Sequence, residues 1–387
     1  MFDQNIKYKN FKLKNNQVKK KNILNSLKNL NKSSSQIIYS LKKNYKDAYD
    51  KKLISKLNRS NNFRLIGMGG SILGAKAIYN FLKPKNKKFK FIDNFSHVNL
   101  KENNKKHVTL IISKSGNTLE TISNVSVLLK KKEKNIFLTE NKKSFLTSLA
   151  KKLKAEIVNH NNYIGGRYSV LSEVGMLPAH LMGLKPYRFR RLNDLIKNKS
   201  FINSLIQSVL NILALSKTKT NSIILNYDPK SNDFFNWYQQ LVAESLGKKS
   251  KGILPVISFM PQDNHSLMQY YLDGTKKNFF TLYFFREKNS KKINSNLILN
   301  SHDYLKNKRL NDILFSQFSA TEKVFTKKKL PFRSFIVQSR NEETLGELFT
   351  YFILETILLG MALGVNPYDQ PAVELIKKNT VKILKSN

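Results

Sequence analysis

The sequence predicts an α/β protein: two α/β/α sandwich domains with mainly parallel sheets, one after the other, plus N- and C-terminal helices. Two observations carry this expectation. Short apolar runs alternate with helix-length segments, and strands separated by helices pair in parallel with helices on both faces. The alternation also restarts after a long helical stretch in the middle of the chain, which asks for two sheets rather than one.

The elements follow in order. Residues 1–60 are rich in Lys and Asn, with Ile23, Leu24, Leu27 and Leu30 at helical spacing, and are expected to form a lead-in of surface helices. From residue 61 to 190 the first domain is expected. Residues 63–66 form an apolar strand broken at Gly67, and a helix covers 72–82. Strands at 107–112 and 136–138 are each followed by a helix, at 119–129 and 145–153. A helical bridge spans 191–220. The second domain, 221–340, has strands at 222–226, 253–259, 279–285 and 332–338, and helices at 233–246 and 313–324. Two helices, 342–363 and 371–384, fill the C-terminal segment 341–387.

Composition narrows the function classes. A chain of 387 residues with 41% hydrophobic content can bury sizeable cores. It has no cysteine, which excludes disulfides and thiolate metal sites and favours a reducing, cytoplasmic compartment. Residues 1–22 lack the continuous apolar run of a signal peptide. The most apolar stretch, 345–365, contains Glu347 and Glu355 and reads as a buried helix, not a membrane span. The net charge of +42 comes from lysines spread along every segment, a diffuse field expected to bind nucleic acid only non-specifically.

Six segments carry chemistry. Gly67-Met68-Gly69-Gly70-Ser71 lies at a strand-to-helix junction, where free N–H groups and a helix dipole favour an anion. A dinucleotide fingerprint would need a small residue where Ile72 stands, although Asp93 sits where a ribose-binding acid is sought. A plain tight turn is the alternative. Ser113-Lys114-Ser115-Gly116-Asn117-Thr118 also follows a strand and precedes a helix. Its density of hydroxyls suits a phosphate monoester, against simple capping by Asn117 or Thr118. Gly247-Lys248-Lys249-Ser250 misses the spacing of a nucleotide triphosphate loop.

Gly165-Gly166-Arg167-Tyr168-Ser169 offers a lone arginine in a chain that prefers lysine. It could steady an oxyanion, or sit on the surface. Gln240 and Glu244, four apart, share one face of an otherwise apolar helix, where partial desolvation would raise a carboxylate's pKa and suit a general base; a solvated glutamate is the alternative. His265, in Asp263-Asn264-His265-Ser266, is the histidine most clearly set in a polar loop. In the segment 366–377, Pro371 is expected to start a helix capped by Asp369, and Gln370 and Lys377 are seven apart on one face.

Together the phrases GMGGSILGA, SKSGNTLET, GGRYSVLSEVG, QLVAESLGKKSKG, DNHSLMQ and NPYDQPAVELIK resemble the glucose-6-phosphate isomerase family over about residues 63–378. The resemblance implies two sugar-isomerase sandwich domains, usually in a homodimer with shared active sites, acting in glycolysis and gluconeogenesis without cofactor, metal or membrane. It assigns Glu244 as the base that moves a proton between C2 and C1, and Arg167 as the cation beside the enediolate. His265, from the neighbouring subunit, and Lys377 are assigned to ring opening. Ser113, Lys114, Ser115 and Thr118 match the phosphate loop, and Gly70, Ser71, Gln240 and Gln370 match the sugar pocket. The chain departs from the family in its reduced N-terminal region, in Ala372 where glycine is common, and at Gly116 and Asn117, where threonine is frequent. The alternatives are a non-catalytic sugar-phosphate regulator and an isomerase that also accepts mannose 6-phosphate.

Overall fold

The computed structural model describes residues 4–13, 17–95, 107–130 and 133–386. Parts of the expected lead-in, 1–3 and 14–16, lie outside the described residues.

Among the described residues, ten strands form two five-stranded sheets. The chain begins with β1 (Ile6–Lys9) and continues with β2 (Asn62–Ile66), β3 (Lys88–Ile92), β4 (Val108–Ile112), β5 (Lys134–Thr139) and β6 (Glu156–Asn159). The second half supplies β7 (Asn221–Asn226), β8 (Leu254–Phe259), β9 (Asn278–Phe285) and β10 (Phe332–Val337). The first sheet has the order β3-β2-β4-β5-β6 and is parallel throughout. The second has the order β1-β10-β9-β7-β8, parallel except for β1, whose Ile6 pairs with Val337 of β10 in antiparallel register.

Alternation along the strands explains the layers. In β4, Val108, Leu110 and Ile112 point into the large central core, while Ile111 joins an outer cluster with Val125, Leu146 and Ala150 of the flanking helices. In β9, Phe279, Tyr283 and Phe285 face the centre, and Phe280, Leu282 and Phe284 face an outer helix, Leu310–Lys327, through Phe318 and Phe325. The central core is continuous between the two sheets. Its helices include Leu73–Leu82, Asn232–Leu246 and Glu342–Leu363. The last is long and apolar enough to cross a membrane by length and composition, yet every residue from 344 to 360 is buried in the protein. Glu355 within it pairs with the buried Arg333 of β10 at 3.1 Å, and Ser208 donates to the same carboxylate at 2.6 Å.

The structure departs from the sequence expectations at the sheet margins. The lead-in holds a strand, β1, as well as helices, and Ile23, Leu27 and Leu30 of helix Gln17–Lys32 are buried in the central core, not set on the surface. Strands β3 and β6 were not expected. Both are edge strands of the first sheet, where one side has no strand neighbour among the described residues and polar residues such as Lys88, Lys90 and Glu156 interrupt the apolar pattern. The last helix starts at Val373, not Pro371, and Asp369 does not cap it; its carboxylate accepts from Asn366 and pairs with Lys248 at 3.1 Å.

Candidate active site

In an open parallel sheet a ligand settles outside the carboxyl ends of the strands, where the strand order reverses. In the first sheet that point lies between β2 and β4, because β2 is followed by β3 on one side and by β4 on the other. The two loops flanking the crevice are Gly67–Ser71 and Ser113–Thr118. A cavity of about 600 Å³ opens there.

The first loop is built by close backbone packing. Gly69 has φ +51°, the left-handed region where glycine is unstrained, and a Cβ at Gly70 would fall 2.1 Å from the Gly166 carbonyl carbon. The glycine at 70 is therefore required by the Gly166–Arg167 backbone, a partner the sequence reading did not supply. Asp93, the rival ribose ligand, pairs with Lys76 at 2.8 Å.

The side chains of the second loop do not cap the helix that follows it. Asn117 accepts a bond from the backbone of Phe145, 28 residues on, at 2.9 Å. The Thr118 hydroxyl bonds Ser113 Oγ at 2.8 Å and makes no cap to its own helix, Leu119–Leu128. The amides opening that helix are thus left by the side chains to another acceptor. Ser115 and Thr118 line the cavity with Lys114, whereas Ser113 is buried behind Thr118 and positions it.

Arg167 is not a surface residue; it is 2% exposed. Trp237 donates to its carbonyl at 3.2 Å, which fixes its backbone against helix Asn232–Leu246. All five guanidinium N–H groups are occupied. Nε donates to Ser245 Oγ at 2.8 Å, Nη1 to Gln370 at 2.7 Å and Glu244 at 3.3 Å, and Nη2 to the carbonyls of Pro367 and Asp369 at 2.8 and 3.0 Å. Tyr168 beside it shares Ser245 and donates to Pro367; burial pushes its phenol up to about 12. Arg167 thereby ties together three segments far apart in the chain.

Helix Asn232–Leu246 buries Trp237, Tyr238, Leu241, Val242 and Ser245, and turns Gln240 and Glu244 toward the cavity. Gln240 Nε2 donates to Glu244 Oε1 at 2.9 Å, the i, i+4 contact expected from their spacing. The other carboxylate oxygen faces Arg167, and the side chain keeps 30% exposure, enough for a substrate to reach it.

The cavity collects Gly70, Ser71, Lys114, Ser115, Thr118, Arg167, Gln240, Glu244, Gln370 and Lys377. Lys377 stands on the exposed helix Val373–Ser386 and pairs with Glu374 at 2.7 Å. His265 is exposed on the loop after β8 and does not line this cavity. The sequence reading missed Glu140 and Lys142, which follow β5, and Glu120. Glu140 is buried, 3.6 Å from Lys114, and also pairs with Lys142. The order β2-β4-β5 predicts that residues after β5 stand beside the second loop, but that order is not visible in the sequence.

Comparison with known proteins agrees with this geometry. Residues 17–260 match the family model for phosphoglucose isomerase. A glucose-6-phosphate isomerase of Methanocaldococcus jannaschii is 34% identical over 366 residues, covering 87% of this chain and 88% of its own length. One from Mycoplasmopsis pulmonis is 34% identical, over 83% of this chain and 82% of its own. Among solved structures, a hypothetical protein of Thermus thermophilus superposes with a TM-score of 0.80 at 22% identity, covering 95% of this chain and 94% of that one. A glucose-6-phosphate isomerase of Chlamydia trachomatis gives 0.68 at 20%, over 86% and 72%. The solved structures share the fold. With the family model spanning most of the chain and curated relatives above 30% identity over more than four-fifths of it, the protein belongs to the phosphoglucose isomerase family.

Proposed function

We propose that the chain interconverts glucose 6-phosphate and fructose 6-phosphate, with Glu244 moving the proton between C2 and C1. The observation that carries this reading is the meeting of Glu244, Arg167 and the Ser113–Thr118 loop around one cavity, from three separate segments, with Glu244 lying 77 residues beyond Arg167. The phosphate sits in the loop, drawn by Lys114, hydroxyls and helix-opening amides, and this remote anchor holds the sugar chain for reaction. Glu244 removes a proton from one carbon and, as the acid, returns it to the next. Charge builds meanwhile on the substrate oxygen. Because every N–H of Arg167 is already bonded within the protein, it acts on that oxygen through its fixed charge rather than by donating a new hydrogen bond.

Ring opening falls to Lys377 and to a histidine brought by a second copy of the chain. The exposed position of His265, away from its own cavity, supports a homodimer with shared sites, and the lack of cysteine suits action in the reducing cytoplasm. Incubating the purified protein with fructose 6-phosphate tests the reaction, and absence of glucose 6-phosphate would refute it. Mixing Glu244→Gln with His265→Ala subunits, with exchange verified by tag pull-down, tests the sharing. Hybrids should recover activity, and inactive hybrids would contradict it.

A further inference from the structure

Behind the candidate phosphate loop lies a buried carboxylate that the proposed mechanism does not use. Glu173 opens the helix Glu173–Leu181 and is 1% exposed. Its Oε1 accepts the backbone N–H of Asn161 at 2.7 Å, and its Oε2 accepts the Tyr45 hydroxyl at 2.8 Å. The next residue, Asn162, offers its carbonyl to Lys114 Nζ at 2.8 Å. Asn161 is tied further to Gln36 through its amide and to Tyr163 and Ile164 through its oxygens. A chain of contacts thus runs from Glu173 through two adjacent backbone groups to the lysine of the phosphate loop.

We propose that Glu173 is a positioning residue which, as an ionised carboxylate, fixes the segment 160–163 and so places Lys114 for the substrate phosphate. The proposal rests on the isomerase reading for its substrate and goes beyond it in naming the support behind the phosphate site. The charge matters because hydrogen bonds to a carboxylate are roughly twice as strong as those to a neutral acid. Burial pushes the Glu173 carboxyl up, opposed by the Asn161 and Tyr45 bonds, so it protonates at a higher pH than an exposed glutamate does. The titratable and charged groups around it are Tyr45, Tyr49 and Asp47, Arg190, which pairs with Asp47, and His160, whose imidazole burial holds down to about 4.

The geometry also predicts which kinetic constant responds. Arg167 is held by Ser245, Gln370, Pro367 and Asp369, none of them in this network, so the proton-transfer end of the site is insulated. Lys114 is not.

The test compares wild type, Glu173→Gln and Tyr45→Phe by isomerase kinetics across pH ~5 to ~9, with inorganic phosphate binding by calorimetry in parallel. Glu173→Gln, which copies the protonated acid, should raise KM by roughly three- to tenfold at neutral pH while leaving kcat within about twofold. It should weaken phosphate binding by a similar factor and lose the acid rise in KM that remains once the substrate's own ionisation is subtracted. Tyr45→Phe removes a bond that favours the ionised form, so its acid rise should move to higher pH. Unchanged KM and phosphate affinity in Glu173→Gln would overturn the proposal, as would an acid limb in Tyr45→Phe that stays at the wild-type pH. A wild type that binds phosphate but turns over no sugar phosphate would refute the isomerase reading alone, and the phosphate arm would still judge Glu173.

Discussion

Replacing Glu244 by glutamine separates catalysis from structure at this site. The amide has the shape of the carboxylate, so its oxygen can still accept from Gln240 or from Arg167. What disappears is the charge beside a guanidinium that is 2% exposed. That guanidinium retains Ser245, Gln370 and two backbone carbonyls, and the lost carboxylate was itself 30% exposed, so the cost falls well short of breaking a fully buried pair. About 1–2 kcal/mol of stability is the expected loss. The catalytic loss is larger. A positioned general base contributes roughly 10²–10⁴ in rate, or about 3–5 kcal/mol of barrier. Turnover of fructose 6-phosphate, followed by formation of glucose 6-phosphate, should therefore fall at least about a hundredfold. KM should stay near wild type, because the phosphate anchor is elsewhere in the cavity. A variant that unfolds in urea like wild type and keeps kcat within about tenfold would show that Glu244 is not the base.

Three further outcomes follow from the structure. Ser115→Ala with Thr118→Ala should raise KM for the sugar phosphate by roughly tenfold or more, since each hydroxyl bond to a charged phosphate is worth about 1.5–3 kcal/mol; steady-state kinetics that match wild type would place the phosphate elsewhere. Removing Glu355 by Glu355→Ala strands the buried Arg333 guanidinium and should cost about 3–5 kcal/mol in urea unfolding, whereas replacing Arg333 and Glu355 together by apolar residues should cost much less. His160 is fully buried, and its imidazole is held from the ordinary 6.5 down to about 4, chiefly by burial. The unfolded chain then binds the proton first as pH falls, so up to about 3 kcal/mol of stability is present above pH 6.5 and lost toward pH 4. In His160→Phe the acid slope of stability should be shallower.

Much of the site was legible because its signals are local. A strand that stops at glycine or at a cluster of hydroxyls and then becomes a helix announces an anion loop, and the structure lines its cavity from both such loops. Gln240 and Glu244 were legible for the same reason: helical spacing alone puts them on one face. Arg167 was visible as an odd residue but not as a buried one, because its burial depends on carbonyls at 367 and 369, some two hundred residues later. Glu140 and Lys142 needed the order of the sheet. Glu173 could not be found from its neighbours, since Tyr45 lies 128 residues before it and Asn161 enters through a backbone N–H that carries no sequence signal. The edge strands β3 and β6 escaped because an edge is half solvated, and its lysines and glutamate hide the apolar alternation.

The second sheet repeats the strand order of the first over its four parallel strands, β8-β7-β9-β10 against β3-β2-β4-β5, and differs in the antiparallel β1 at its edge. The second sheet also reverses its strand order, between β7 and β9. There the crevice is closed from within. Arg340 lies 3.6 Å from the centre of the Phe285 ring and 4.9 Å from that of Phe81, and pairs with Asp228 at 2.6 Å. Ser231 donates to the same carboxylate at 2.5 Å, so the anion that Arg340 holds in this crevice is the protein's own Asp228. Phe81 belongs to the helix that follows the first glycine loop, and Arg340 also reaches its carbonyl. The second crevice therefore serves as a joint that holds the two halves together. With that joint closed, the helix after β7 presents Gln240 and Glu244 across to the open crevice of the first sheet. On the proposed reading, the first sheet binds the phosphate and the second delivers the carboxylate base.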